Sequence, residues 1–264
     1  MRRRLLSISV CTLAFVLAGC GGAGGGDSDE TAALVKAGQA LEAKVGAPGA
    51  KSEMPGKDDA DVKAFNAEAD KALTALGTDK MPVDGLDSYA RLCGSAAKIV
   101  GAYASAGVGV NADGTLKMDD PSMVDTMNNN MTRYMDQAFT PLLFSAHCTA
   151  VHIPSVDKAL DSTPDDKKAA AMNQIRSGAF GQAISLLQFA ADPSMDAAKR
   201  KQALDLIVRD SGNFAIALSK PQRQQFAAAA DALGQADAAA KPQTDQIKKA
   251  IEAAPCGTLC SLQR

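Results

Sequence analysis

The chain has no tryptophan, and its three tyrosines and eight phenylalanines make up only 4% of 264 residues. So few aromatic rings leave little to stack on sugars or unpaired bases, and the scarcity of β-branched runs leaves little from which to build a sheet. Neither sign of charge dominates: 28 basic side chains stand against 30 acidic ones, a formal balance of −2. There is no electrostatic footprint for nucleic acid or for an anionic membrane surface. Histidine is nearly missing as well. Any Ser-His-Asp or Cys-His site would have to use His147 or His152, the only two, and nothing near them singles out a nucleophile. No G-x-S-x-G elbow, Walker loop, Rossmann fingerprint or zinc spacing is present. What remains is an alanine-rich chain, 46% hydrophobic and 22% charged, the composition of a globular helical protein.

The N-terminus carries an address. Arg2, Arg3 and Arg4 precede the apolar run Leu5 to Leu17, followed by the small residues Ala18 and Gly19, the layout of an export signal over residues 1–19. The apolar core is too short for a permanent membrane span. It ends in Leu17-Ala18-Gly19-Cys20, which resembles the lipobox of bacterial lipoproteins. The resemblance implies cleavage before Cys20, lipidation of its thiol, and an anchor rather than an activity. Acyl chains contribute about 0.8 kcal/mol per buried CH₂, so two or three hold a protein firmly to one leaflet. Residues 20–30, with Gly21, Gly22 and Gly24 to Gly26, read as a lipidated Cys and flexible tether reaching roughly 18 Å. Gly21 stands where many such lipoproteins carry an inner-membrane retention Asp, so the resemblance points to the outer membrane, facing the periplasm.

With Cys11 in the signal and Cys20 taking lipid, four cysteines remain: Cys93, Cys148, Cys256 and Cys260. An even number in an exported chain implies two disulfides, with three possible connectivities. The favoured pairing is Cys93–Cys148 and Cys256–Cys260, for which chain entropy gives about 4 and about 2 kcal/mol. The C-x₃-C spacing is not that of a redox motif, and no histidine lies near it.

Hydrophobic periodicity predicts an all-α fold of about seven to nine helices, with a main helical domain over 58–264. Residues 31–57 read as a peripheral helix, Thr31 to Val45, and a Pro/Gly linker. Further helices are expected over Asp59 to Leu76, stopped by Gly77, and over Leu86 to Gly107. Asp120-Pro121 is expected to open a helix that bends or breaks at Pro141 and ends at Pro154. Thr163-Pro164-Asp165-Asp166 and Asp192-Pro193 read as further starts, and Gly212 as a stop. Ser219-Lys220-Pro221-Gln222 resembles a capping box ahead of Phe226 to Leu233, and a last helix covers Thr244 to Ala253 before Pro255. The stretch from Ser177 to Asp192-Pro193 resembles the second half of a tetratricopeptide repeat on Gly178, Phe180, Ala183, Ile184 and the Asp-Pro pair, in one copy and two residues short. It implies a helical hairpin turning near Gly178.

Three constellations could carry chemistry. Met123, Met127, Met131 and Met135 recur every four residues and line one broad face; thioethers bind Cu(I), but methionine also fills irregular cores. His147 and His152 are five apart, which on a helix puts them about 140° from each other, unlike shared metal ligands. Gly109 to Asp120 can be laid over an EF-hand loop at Asn111, Asp113, Gly114, Leu116 and Asp120, but Gly replaces the first carboxylate and Lys117 occupies the ninth place. A plain Asp-Gly turn is expected there. The resulting expectation is a lipid-anchored envelope protein without enzymatic activity, metal or cofactor. It would bind another envelope or secreted protein, as an assembly accessory or as an immunity or inhibitor protein. The alternative is a soft-metal or small-molecule carrier using the methionine stripe.

Overall fold

The structure, a computed structural model, describes residues 29–75, 86–117, 121–161 and 165–261. Among them it is all-α, with no strand beyond an isolated bridge between Val110 and Leu116. The chain divides into two compact units, 1–145 and 146–264.

The first unit is organised around α1 (Asp29–Val45), which packs on α2 (Ala60–Ala75) and on α3 (Leu86–Ala104). Leu34, Leu41 and Val45 are buried along α1, facing Val62, Phe65 and Ala69 of α2 and Ala96, Ile99 and Val100 of α3 as core neighbours. Each such large apolar side chain stabilises by about 1.5–3 kcal/mol. Gly38 marks a close approach of α1 to α2 and α3. A Cβ there would lie 3.1 Å from Ser95 Cβ and 3.3 Å from the Phe65 ring. Four residues on, Glu42 accepts hydrogen bonds from Ser95 (2.7 Å) and Lys98 (2.6 Å). The helix expected to be peripheral is thus integral to this unit.

The expected linker is fixed too. Lys51 donates to Lys44 O at the end of α1, Gly107 N–H donates to Lys51 O, and the Tyr103 hydroxyl donates to Pro55 O at 3.0 Å. Burial holds the Tyr103 phenol well above its ordinary ionisation range. Gly49, at φ +76°, tucks under the turn 107–117, where a Cβ would meet Gly109 O at 2.9 Å. Only glycine takes both that backbone and that contact without strain. A segment rich in Pro and Gly is flexible only when nothing receives its polar groups.

Helix α4 (Met123–Arg133) is joined through Tyr134 to α5 (Met135–Leu160). Asn130 on α4 is buried and donates to Ala104 O and Ala106 O at 3.0 and 2.7 Å, capping the end of α3. Tyr103 and Tyr134 pack with ring centroids 5.4 Å apart, and Phe144 of α5 meets Phe65 edge-on at 6.4 Å. The break falls at Tyr134 and not at Pro141, and neither Pro141 nor Pro154 ends α5. A proline inside a helix costs about 3 kcal/mol; Pro141 is buried next to the continuously buried residues 143–150, whose packing outweighs the lost hydrogen bond, whereas Pro154 is exposed.

The second unit is a ring of four helices. Helix α6 (Asp165–Ala191) packs on α7 (Ala197–Ala217) and α8 (Lys220–Ala236), and α9 (Lys241–Ala253) packs on α7 and α8. Contacts of Gln243 with Asp205 and of Gly212 with Ala250 show α7 and α9 running parallel. The Lys248–Asp231 pair and the Gly234–Thr244 contact make α8 and α9 antiparallel. The core holds Met172, Leu186, Ile207, Phe214, Phe226 and Ile247 between stripes of buried alanine.

Several local signals yield to this packing. Helix α6 passes straight through Gly178 and Gly181, so the hairpin expected from the tetratricopeptide resemblance is not formed. Helix α7 starts at Asp196, whose carboxylate accepts from Ala198 and Lys199 N–H; Asp192 instead closes its own turn on Ser194. It also continues through Gly212, where an added Cβ would make only an ordinary 3.9 Å contact with Ala250. The capping box at Ser219 is formed with Gln222. A short helix α10 (Thr258–Ser261), which periodicity did not predict, follows Pro255. Leu76, Gly77, Asp120, Thr163 and Pro164 lie outside the described residues.

Candidate functional site

The sequence-predicted residues do not converge. Cys20, with the signal and most of the tether, lies outside the described residues. Of the methionine stripe, Met123 and Met131 are buried and Met127 and Met135 half-buried, so half the thioethers are core filling of unit 1. In the Gly109–Lys117 turn, Asp113 accepts from the Thr115 amide and hydroxyl while the Asn111 amide donates to Thr115 Oγ1. These oxygens are spent on a tight turn closed by Gly114 at φ +81°. Among the described residues, no three His, Cys, Asp or Glu side chains cluster as a metal site.

The two histidines have separate fates. His152 is half-buried, and burial pushes its ionisation below the ordinary value. His147 on α5 is wholly buried, and its Nδ1 lies 2.8 Å from Oδ2 of Asp210 on α7, itself 0% exposed. The carboxylate accepts, so Nδ1 carries the hydrogen. The other oxygen, Oδ1, accepts from Arg209 Nε at 3.2 Å. A carboxylate on Nδ1 is the arrangement that orients a general-base imidazole. Here, however, Nε2 is buried with no hydrogen-bond partner among the described residues. Both side chains are 0% exposed, and the pair ties α5 to α7.

The second constellation gathers at the C-terminus around the predicted Cys256–Cys260 pair, with partners that sequence reasoning did not select. Cys256 and Cys260 are bonded to each other, their Cα atoms 5.1 Å apart, and Cys93 and Cys148 are also disulfide-bonded. Inside the short loop, Leu259 is fully buried. Its N–H donates to Asp157 Oδ1 at 2.6 Å, its C=O accepts from the buried Arg176 Nε, and Thr258 donates to Asp161. Arg223, at the start of α8, donates to Ala254 O and Pro255 O at 2.9 and 2.7 Å. Burial lowers the ionisation of both Arg176 and Arg223 from the ordinary value, without approaching loss of charge. Residues 254–261 therefore form a hook held from α5, α6 and α8. Any side chain at Gly257 would have to displace the Asp157 carboxylate that receives Leu259 N–H.

A sequence signal for the missed residues does exist. Asp210 falls on the register of Ala203, Ile207 and Phe214, and Arg176 on that of Met172, Ala179 and Ala183, all buried. A charged residue on an apolar stripe announces a buried partner. Comparison with protein-family models, with curated proteins and with solved structures finds no match.

Proposed function

We propose that the chain is a bacterial lipoprotein, anchored through Cys20 in the cell envelope and facing the periplasm, that acts by binding another protein rather than by catalysis. The observation that carries this reading is Leu17-Ala18-Gly19-Cys20 placed directly behind three arginines and an apolar run. It is supported by the start of α1 at Asp29, which leaves a short glycine-rich stretch between the lipid and the first helix. Disulfide bonding of four cysteines agrees with an oxidising compartment. Binding is favoured over chemistry because His147, which the Asp210 carboxylate holds, is fully buried in the second unit. Within this class the protein serves as an accessory of an envelope assembly or as an inhibitor masking an enzyme or toxin.

Two measurements test the proposal. Mass spectrometry of the full chain expressed in a bacterial host should find an N-terminal Cys20 carrying acyl chains. Cys20→Ser should lose both the lipid and the membrane fraction, and an unmodified chain beginning elsewhere would overturn the anchor. Detergent extraction of the anchored protein from native envelopes, with identification of bound proteins and metals, tests the second half. A stoichiometric hydrolase or toxin selects the inhibitor role, and envelope machinery selects the accessory role. Copper without a protein partner would overturn both in favour of a carrier.

A further inference from the structure

The two bridges differ in access. Cys93 and Cys148 are 2% and 0% exposed, whereas Cys256 is exposed and Cys260 half-buried. Thiol–disulfide exchange needs a thiolate to reach one sulfur in line with the bond, so access decides which bridge reacts. The exposed bridge also spans the only covalent loop within the hook. Leu259, the residue that plugs the hook into the second unit, lies between its two sulfurs in sequence, and α10 packs on α7. Opening the bridge frees a segment whose remaining ties are a few hydrogen bonds, from Asp157, Asp161, Arg176 and Arg223, and one apolar side chain.

We propose that the C-terminal hook is a thiol-operated clasp: Cys256–Cys260 is the exchangeable bridge, and its reduction by a protein dithiol releases residues 254–261 while the four-helix ring stays folded. In the first step a dithiol thiolate attacks Sγ of Cys256, forming a mixed disulfide and expelling the Cys260 thiolate. The second thiol of the reductant then attacks its own bridged sulfur and expels Cys256. The hook gains two electrons and two protons, and the reductant leaves as a disulfide. Release uncovers the Leu259 socket and leaves the buried Arg176 without its carbonyl partner, a charged and apolar recess that the oxidised chain keeps shut. Docking and bridge are coupled, because a seated Leu259 holds the two cysteines at bonding distance.

The test uses the full oxidised chain with graded dithiothreitol, followed by alkylation without denaturant, peptide mass mapping and amide hydrogen exchange. At the lowest effective dose, Cys256 and Cys260 should be labelled and Cys93 and Cys148 unlabelled. Exchange at residues 258–261 should accelerate at least about tenfold, with α6 to α9 unchanged. The Cys256→Ser/Cys260→Ser double variant should show the same fast exchange without reductant. Leu259→Ala, which leaves the cysteines in place, should speed reduction severalfold. Labelling of Cys93 or Cys148 at the same dose would overturn the selectivity. Slow exchange at 258–261 in the reduced or doubly substituted chain would overturn the clasp.

Discussion

The two units reach stability by different routes. Unit 1 stitches its loops: the stretch 46–56 and the turn 107–117 are fastened through Lys51, Tyr103, Gly49 and Asn130, each tying a connection to a helix end. Unit 2 stitches its C-terminal hook through Asp157, Arg176 and Arg223, but joins its long helices through small residues and a buried polar pair. Gly234 against Thr244 sets how closely α8 and α9 approach, and His147–Asp210 fixes α5 against α7. Damage should therefore be spread thin in the first unit and concentrated in the second. A buried pair is all-or-none, because deleting one partner leaves the other without a hydrogen bond in a dry interior.

The largest expected effect follows from that asymmetry. Asp210→Ala should destabilise unit 2 by about 3–5 kcal/mol, read as a shift in the denaturant midpoint of the full chain by circular dichroism. A loss under about 1 kcal/mol would erase the contrast. In unit 1, Gly49→Ala combines a left-handed backbone with a collision against Gly109 O and should cost about 2 kcal/mol. A neutral outcome would mean that the loop is unstitched. Ser219→Ala removes one half of a formed capping box, and about 1 kcal/mol should disappear, detectable in the thermal midpoint. The smallest effect concerns acid. Burial lowers the ionisation of His152 from its ordinary 6.5, so the folded chain prefers the neutral ring. The stability this protects is whole above pH 6.5 and is lost as pH falls through the lowered folded value. Stability measured between pH 7.5 and 5 should accordingly fall less in His152→Gln, and equal slopes would refute the assignment.

Much of this fold was readable from residue spacing, and the failures share one cause. Two helix ends obeyed their local signals, at Ser219 with Gln222 and at the Pro255 stop, whereas Asp192-Pro193 did not open α7. Helix interiors did not obey theirs: Pro141, Gly178 and Gly212 sit within continuous helices, and the exposed Pro154 does not end α5 either. Punctuation residues weigh a few kcal/mol at most, and a helix packed on several sides gains more than that from its neighbours. The linker failed in the opposite sense, since proline and glycine over 46–57 were read as freedom while the receiving carbonyls and amides belonged to distant segments. The hook was invisible for a related reason. Its partners Asp157, Asp161, Arg176 and Arg223 are brought to residues 254–261 by tertiary packing that no local window contains. Asp210 was the recoverable case, a lone carboxylate on a core stripe.

The aromatic pair of unit 1 also has a spectroscopic consequence. The chain's tyrosines, Tyr89, Tyr103 and Tyr134, all belong to residues 1–145, and there is no tryptophan anywhere. Tyrosine emission is therefore a private reporter of unit 1, which holds the packed rings of Tyr103 and Tyr134, whereas far-ultraviolet dichroism sums the helices of both units. Two optical traces of one melting experiment separate the halves without a single label: coincident curves describe one cooperative event, and displaced curves describe two.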